Sequence, residues 1–372
     1  MAFKSFKSLM VAAFSAFLVL LSANALAGGS SAEPHGEGDA VEKEFNAGES
    51  ILHHIQDAHE FHLFSIGETH VTIPLPVILY SPQRGLSIFS SSKFEHGHAS
   101  YDGYALDHGH VIAVDEAGNP DTTVSVYDFS MTKNVVQMLI ALFVLVVILI
   151  NVAKKYQVNG PNKAPSGLQN ALEPVITFVR DDVAKPNLGH SYKKYLPYLL
   201  TVFFFILINN LFGLIPGAAN VTGNITFTAV LALISLVVIL FSTNGHFWGH
   251  IFWPPGVPLP VKFILIPVEL MGVFIKPAAL MIRLFANMTA GHIVILSFVS
   301  LIFIFGQMST GVGWGFSPVS IAFSVFIYLI ELLVSFIQAF IFTNLTAVFI
   351  GQAFEGGHGH EDVPGHEDPI VV

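Results

Sequence analysis

From Leu199 to Phe354 the chain carries five charged residues: Lys262, Glu269, Lys276, Arg283 and Glu331. They stand in long apolar runs, where an ionisable group is costly and usually marks an ion path, a proton relay or a paired partner. Glu269, Lys276 and Arg283 are spaced by seven, and Asn287 follows Arg283 by four. On a helix of 3.6 residues per turn, all four fall in one sector. His292 lies nine residues beyond Arg283, half a turn round, and so faces away from that stripe. Downstream, Glu331, Ser335 and Gln338 share a sector of a second helix. Glu331 is the only acid there, and His292 is its natural partner across a hairpin.

These residue types suit proton transfer. Arginine stays charged at physiological pH, so it relays no proton but can repel a bound proton or attract a passing carboxylate. Histidine and glutamate take up and release protons. A permanent cation flanked by titratable groups on separate faces fits two proton paths kept apart by a positive barrier. The same charges could also serve as a structural ion pair buried between helices.

The elements that must hold these residues are membrane helices. The 372 residues are 53% hydrophobic and 11% charged, against about 25% charge in soluble domains. A net charge of -10 makes nucleic acid an unsuitable partner, and the lack of cysteine excludes disulfides, thiol catalysis and Cys-ligated metals. The apolar pattern predicts an all-α membrane protein with five mature transmembrane helices. The first three cover about Val135 to Val152, Tyr198 to Ile215 and Ile225 to Ser242. Residues 262–304 and 316–353 are nearly all apolar and flank a glycine-rich turn, Gly306 to Gly315. Helices of ~38 residues are ~57 Å long and exceed a ~30 Å hydrocarbon core. They are therefore expected to form a long tilted hairpin. Pro267 and Pro277 leave two shorter spans as the alternative for its first arm.

Residues 153–196 carry seven Lys/Arg, which predicts a cytoplasmic loop and C-terminus. Residues 1–27 read as a signal peptide: Lys4 and Lys7, a short apolar core, then Ala25-Leu26-Ala27. An uncleaved first helix is the alternative. Residues 28–132 then form a His-rich periplasmic domain, expected to be small and β-rich. A short helix is expected over Ile51 to His62, and strands near Val71–Tyr80, Gly85–Ser91, Val111–Val114 and Thr122–Tyr127. Residues 133–354 are the membrane domain, and 355–372 a His/acidic tail. His59, His62, His96 and His98 are weak metal candidates; a solvated polar domain or a proton-collecting surface would equally account for them.

The run Lys276-Pro277-Ala278-Ala279-Leu280-Met281-Ile282-Arg283-Leu284-Phe285-Ala286-Asn287-Met288-Thr289-Ala290-Gly291-His292 closely resembles the signature of the a subunits of F-type ATP synthases. Gln338-Ala339-Phe340-Ile341-Phe342, and Asn209-Asn210-Leu211-Phe212-Gly213-Leu214-Ile215-Pro216 with Asn224-Ile225-Thr226, resemble that family's other helices. The likeness covers residues 130–354. It implies a non-catalytic, proton-translocating stator subunit of the bacterial inner membrane, with c-ring, b subunits and a catalytic head as partners. Arg283 would face the ring carboxylates. Glu269, Asn287, His292, Glu331 and Gln338 would line two half-channels. No cofactor is implied, and no phosphate-binding Gly-x-x-x-x-Gly-Lys run is present. The rival is a metal-ion transporter with a His-rich periplasmic binding domain. It needs paired ligands within the spans, which offer only His292.

Overall fold

The computed structural model describes Gly48 and residues 56–355, less breaks at 67–68, 98, 108, 116–117, 160–164, 166, 216–217, 244 and 254–257. The expected signal peptide, residues 28–47 with the acidic linker Ser30 to Lys43, residues 49–55 with the first part of the expected Ile51 to His62 helix, and residues 356–372 lie outside the described residues.

Among the described residues, seven short strands precede the long helices. β1 (Glu60–Ile66) and β2 (Thr69–Pro74) form an antiparallel hairpin. β3 (Pro76–Ser81) lies between β4 (Gly85–Ser90) and β7 (Tyr127–Asp128), and β5 (Tyr104–Asp107) pairs with β6 (His110–Ala113). Val77 and Leu79 of β3 pack with Phe94, Tyr104, Val111 and Ala113 as this region's core. The helix expected up to His62 is corrected: Glu60–His62 open β1, whose residues pair with β2. The strand expected over Val71–Tyr80 is two strands. Pro74 and Pro76 have no N–H to extend one ladder, and between them Leu75 bonds Ser91 through its N–H and C=O. Most of the segment expected as a strand over Thr122–Tyr127 is a turn in which Asp121 accepts from the Thr123 amide and hydroxyl, at 3.0 and 2.6 Å.

The helical part begins with α1 (Lys133–Asn159). α2 (Leu168–Phe178), a π turn (Val179–Ala184), α3 (Lys185–Leu188) and α4 (Tyr192–Gly213) follow in near-continuous succession. Residues 168–188 were expected to be loop. Their charges masked a helix that neutralises them internally, with Asp181 2.7 Å from both Arg180 and Lys185. α5 (Ile225–Ser242) starts where the Asn224 side chain accepts from the amides of Thr226 and Phe227. After α6 (Gly245–Phe252) come α7 (Leu259–Met308) and α8 (Thr310–Glu355), 50 and 46 residues long. Among the described residues, five helical stretches are long and apolar enough to cross a membrane: Lys133–Val158, Leu168–Gly213, Ile225–Ser242, Leu259–Met308 and Gly311–Ala353. At 1.5 Å per residue, α7 is ~75 Å long. It can lie within a ~30 Å core only if inclined, or if its ends extend beyond it.

The glycine-rich turn differs from expectation. Ser309 alone breaks the helix, with φ -167 and ψ 137, while the flanking glycines are helical. A Cβ on Gly313 would stand 2.7 Å from the Gly306 Cα, so these glycines let the two helix ends meet backbone to backbone. Further along, Leu280, Leu284 and Met288 of α7 are buried at four-residue spacing. They share a core with Ala339, Phe342, Ala347 and Ile350 of α8 and with Leu199, Phe203 and Ile206 of α4. The residues between them on α7 are left to face outward.

The strand region is fastened to α1. The Lys133 amide donates to the Ala58 carbonyl at 2.9 Å, and the Asn134 amide to the Asp57 carboxylate at 3.2 Å. Asp57 thus caps a helix 77 residues downstream. Beside it, buried His59 meets Asp128 at 2.8 Å. Burial would raise the Asp128 carboxyl, but His59 and the Ser130 hydrogen bonds outweigh it and hold it below the ordinary 3.8. The stability Asp128 contributes is therefore present above about pH 3.8 and lost as pH falls through its lower folded value. Replacing Asp57 by Ala is expected to remove about 1 kcal/mol of helix capping. Hydrogen exchange at Lys133–Asn134 should accelerate without a change around Met288. Unchanged exchange at these two amides would refute the capping role.

Candidate functional site

The packing of α7 fixes which way its polar residues face. With Leu284 and Met288 turned inward, Arg283 and Asn287 are exposed one turn apart, among exposed Ile275 and Ile282. Among the described residues Arg283 has no hydrogen-bond or ion-pair partner. Lys276, two turns earlier, is tied back to the hairpin: its Nζ donates to Gln352 at 3.0 Å and lies 4.9 Å from the Phe349 ring centroid. Glu269 is half-buried. The single chain thus presents a strongly apolar face with one guanidinium in it. Exposed Val325, Phe326, Leu329 and Leu333 of α8 add to the apolar exposure.

His292 faces inward. Its Nδ1 is 2.9 Å from the Met288 carbonyl and its Nε2 is 2.9 Å from the Gly213 carbonyl. Gly213 closes α4, so its carbonyl has no partner further along that helix. A neutral imidazole carries one N–H and can donate to only one of these acceptors; a protonated ring donates to both. Glu331 sits 3.9 Å from Nδ1, is 6% exposed, and neither carboxylate oxygen has a hydrogen-bond partner among the described residues. A proton on either member of this pair therefore removes an unmet need. One on the ring supplies the second donor, and one on the carboxyl removes a bare charge from an apolar site.

Polar groups continue along α8. Ser335 is fully buried and Gln338 is 4% exposed, one and two turns beyond Glu331. Asn210 of α4 donates to the Ser335 carbonyl at 3.1 Å. The Ser335 hydroxyl and the side-chain carbonyl oxygens of Asn209 and Asn210 are buried without a partner among the described residues. A run of such oxygens beside a titratable pair is where ordered water would be needed to complete the hydrogen bonding.

The connection between α4 and α5 roofs this pair. Gln137 of α1 bonds both the amide and the carbonyl of Ala219. Asn220 donates to the Met288 carbonyl at 3.2 Å, and Tyr328 of α8 donates to Leu214 at 2.8 Å. Sequence reasoning missed these partners, because a backbone carbonyl has no residue-type signature. Asn209 and Asn210 had a signal of their own, as adjacent amides in an apolar span. Gly291 was also missed: a Cβ there would coincide with the Glu331 carboxylate. The metal candidates are not gathered. His59 pairs with Asp128, the side chains of His62, His96 and His98 lie outside the described residues, and no cluster of three ligating groups occurs among the described ones. Gly291→Ala is expected to cost about 1–3 kcal/mol by overpacking Glu331. Gly272→Ala, with nothing within 4 Å, should be neutral or stabilising. Unfolding midpoints of the two purified variants check this, and equal midpoints would contradict it.

Comparison with known proteins agrees with the arrangement of spans. The ATP synthase A chain family model matches residues 135–351, and a domain of unknown function matches residues 50–129. The chain is 45% identical to ATP synthase subunit a of Chloroherpeton thalassium over 257 residues, 66% of this chain and 74% of that protein. It is 45% identical to ATP synthase subunit a 2 of Chlorobaculum tepidum over 254 residues, covering 67% and 69% of the two chains. Against ATP synthase subunit a of an Anaeromyxobacter species it is 38% identical over 264 residues, 68% of this chain and 61% of the other. With more than half its length matched by one family model, five helices able to span a bilayer and a β-rich N-terminal region, the chain belongs to the ATP synthase A chain family.

Proposed function

We infer that the chain provides two proton half-channels to a rotating c-ring and separates them with Arg283. The observation that carries this reading is the opposition of two environments on one helix. His292 and Glu331 stand 3.9 Å apart inside the bundle, while Arg283, nine residues before His292 and on the opposite side of the helix, is exposed on an apolar face. Protons would enter beneath the α4–α5 connection, pass between His292 and Glu331, and reach the ring carboxylates beside the column that holds Ser335 and Gln338. They would leave on the other side of Arg283, past Glu269, while Asn287 lies on α7 between Arg283 and His292. Arginine suits the barrier because it cannot lose its own proton to the path. The chain is non-catalytic, and the catalytic head, c-ring and b subunits are its partners in the assembled synthase.

On this reading residues 1–27 are a signal peptide, 28–132 a periplasmic domain, 133–354 the proton-channel domain and 355–372 a cytoplasmic tail, in a bacterial inner membrane. The seven Lys/Arg of residues 153–196 support that orientation.

The pair can be tested by exchange. His292→Ala and Glu331→Gln should each reduce ATP-driven proton pumping in inverted vesicles without abolishing it, because Arg283 and the ring remain. The double exchange His292→Glu with Glu331→His keeps one acid and one imidazole at the site and should recover part of the loss. With equal assembly, an exchanged variant no better than the worse single variant would show that the two are not coupled.

A further inference from the structure

The β4-β3-β7 sheet has two apolar faces, and among the described residues only one is covered. Val77 and Leu79 point into the domain core. The other face alternates with them: Ile78 pairs with Ile88, Tyr80 with Leu86, and Tyr80 with Tyr127 on the far strand. Antiparallel sheets with one solvated face normally carry polar residues there. Here Leu86 and Ile88 are 63% and 64% exposed, and Tyr80 and Phe129 are 45% and 42% exposed. None of the outward residues on these three strands is charged.

Position identifies the occupant. The ladder continues past β7, with the Phe129 amide donating to Ile78 at 2.8 Å and the Met131 amide to Pro76 at 3.2 Å. The next residues are Thr132 and Lys133, where the first membrane-spanning helix begins. Even fully extended, four residues reach no more than about 14 Å. The lower edge of the uncovered face is thus continuous with the surface that enters the bilayer, and the hydrogen bonds of Lys133 and Asn134 to residues 57–58 fix the domain to that helix. Two tyrosines, with ring centroids 6.4 Å apart, stand in the face. Tyrosine is enriched at the headgroup level of membranes, having an apolar ring and a polar tip. We propose that the outer face of this sheet is a lipid-binding surface, lying against the headgroup and upper acyl region of the leaflet next to the start of α1.

The chain has no cysteine, so single-cysteine variants place a unique probe on it. Ile88→Cys and Leu86→Cys report on the uncovered face. Ser92→Cys is an exposed control on the Ser91–Gly97 turn, whose Phe94 packs against the opposite face. Each is labelled with a fluorophore in the intact complex and reconstituted into phosphatidylcholine–phosphatidylglycerol vesicles. Quenching is then measured with shallow nitroxide-bearing lipids and with iodide. Lipid quenching several-fold stronger at positions 86 and 88 than at 92, with weak iodide quenching there, is the expected result. Equal iodide access at all three positions would show that the face is in water and overturn the proposal. Protection of 86 and 88 from both quenchers would also overturn it, by showing a protein partner on the face. Reading two positions separately guards against a local disturbance at either one.

Discussion

The helical architecture is governed by the cost of placing Glu331 in an apolar hairpin. A carboxyl that is 6% exposed, with no hydrogen bond to either oxygen among the described residues, is tolerable only if a proton or a cation is close at hand. His292 meets that need at 3.9 Å, and the ring is itself held by the carbonyls of Met288 and Gly213. The end of α4, the α4–α5 connection and the missing side chain at Gly291 all serve to bring these two groups together. Each half of the pair alone is an unfavourable buried group, and the hairpin places each within 3.9 Å of the other.

The same packing sets Arg283 apart. Leu280, Leu284 and Met288 seat α7 against α4 and α8, and a helix that buries that stripe must turn Arg283 and Asn287 away from it. The separation of Arg283 from His292 is thus a consequence of 3.6 residues per turn together with a spacing of nine. On the proposed reading this geometry keeps two proton paths apart: the pair exchanges protons with the ring, and the arginine denies them a shortcut.

Much of this was legible from residue types. Rare charges in apolar runs stood out, helical phase put Arg283 and His292 on different faces, and α5 was delimited over Ile225–Ser242 by hydropathy alone. The obscure parts have physical reasons. Gly213 and Met288 act through carbonyls that every residue possesses. Residues 168–188 carry charges that suggest a loop until Asp181 is seen between Arg180 and Lys185. The glycines near 306–315 suggested a flexible turn, but their use is close helix contact, with a single residue making the reversal. β1 was hidden because its first residues, Glu60 to His62, fall within a stretch read as helix, and a partner strand rather than local propensity decides their conformation.

The central claim is that Arg283 blocks passage between two proton paths. The most direct measurement is passive proton flux through reconstituted vesicles holding the intact complex or its Arg283→Gln variant, driven by a potassium diffusion potential with ATP hydrolysis inhibited. A barrier role requires a higher inhibitor-sensitive flux in the variant at equal subunit content, since glutamine keeps polarity but removes the permanent charge. Flux no greater than in the unaltered complex, combined with undiminished ATP-driven pumping, would contradict it.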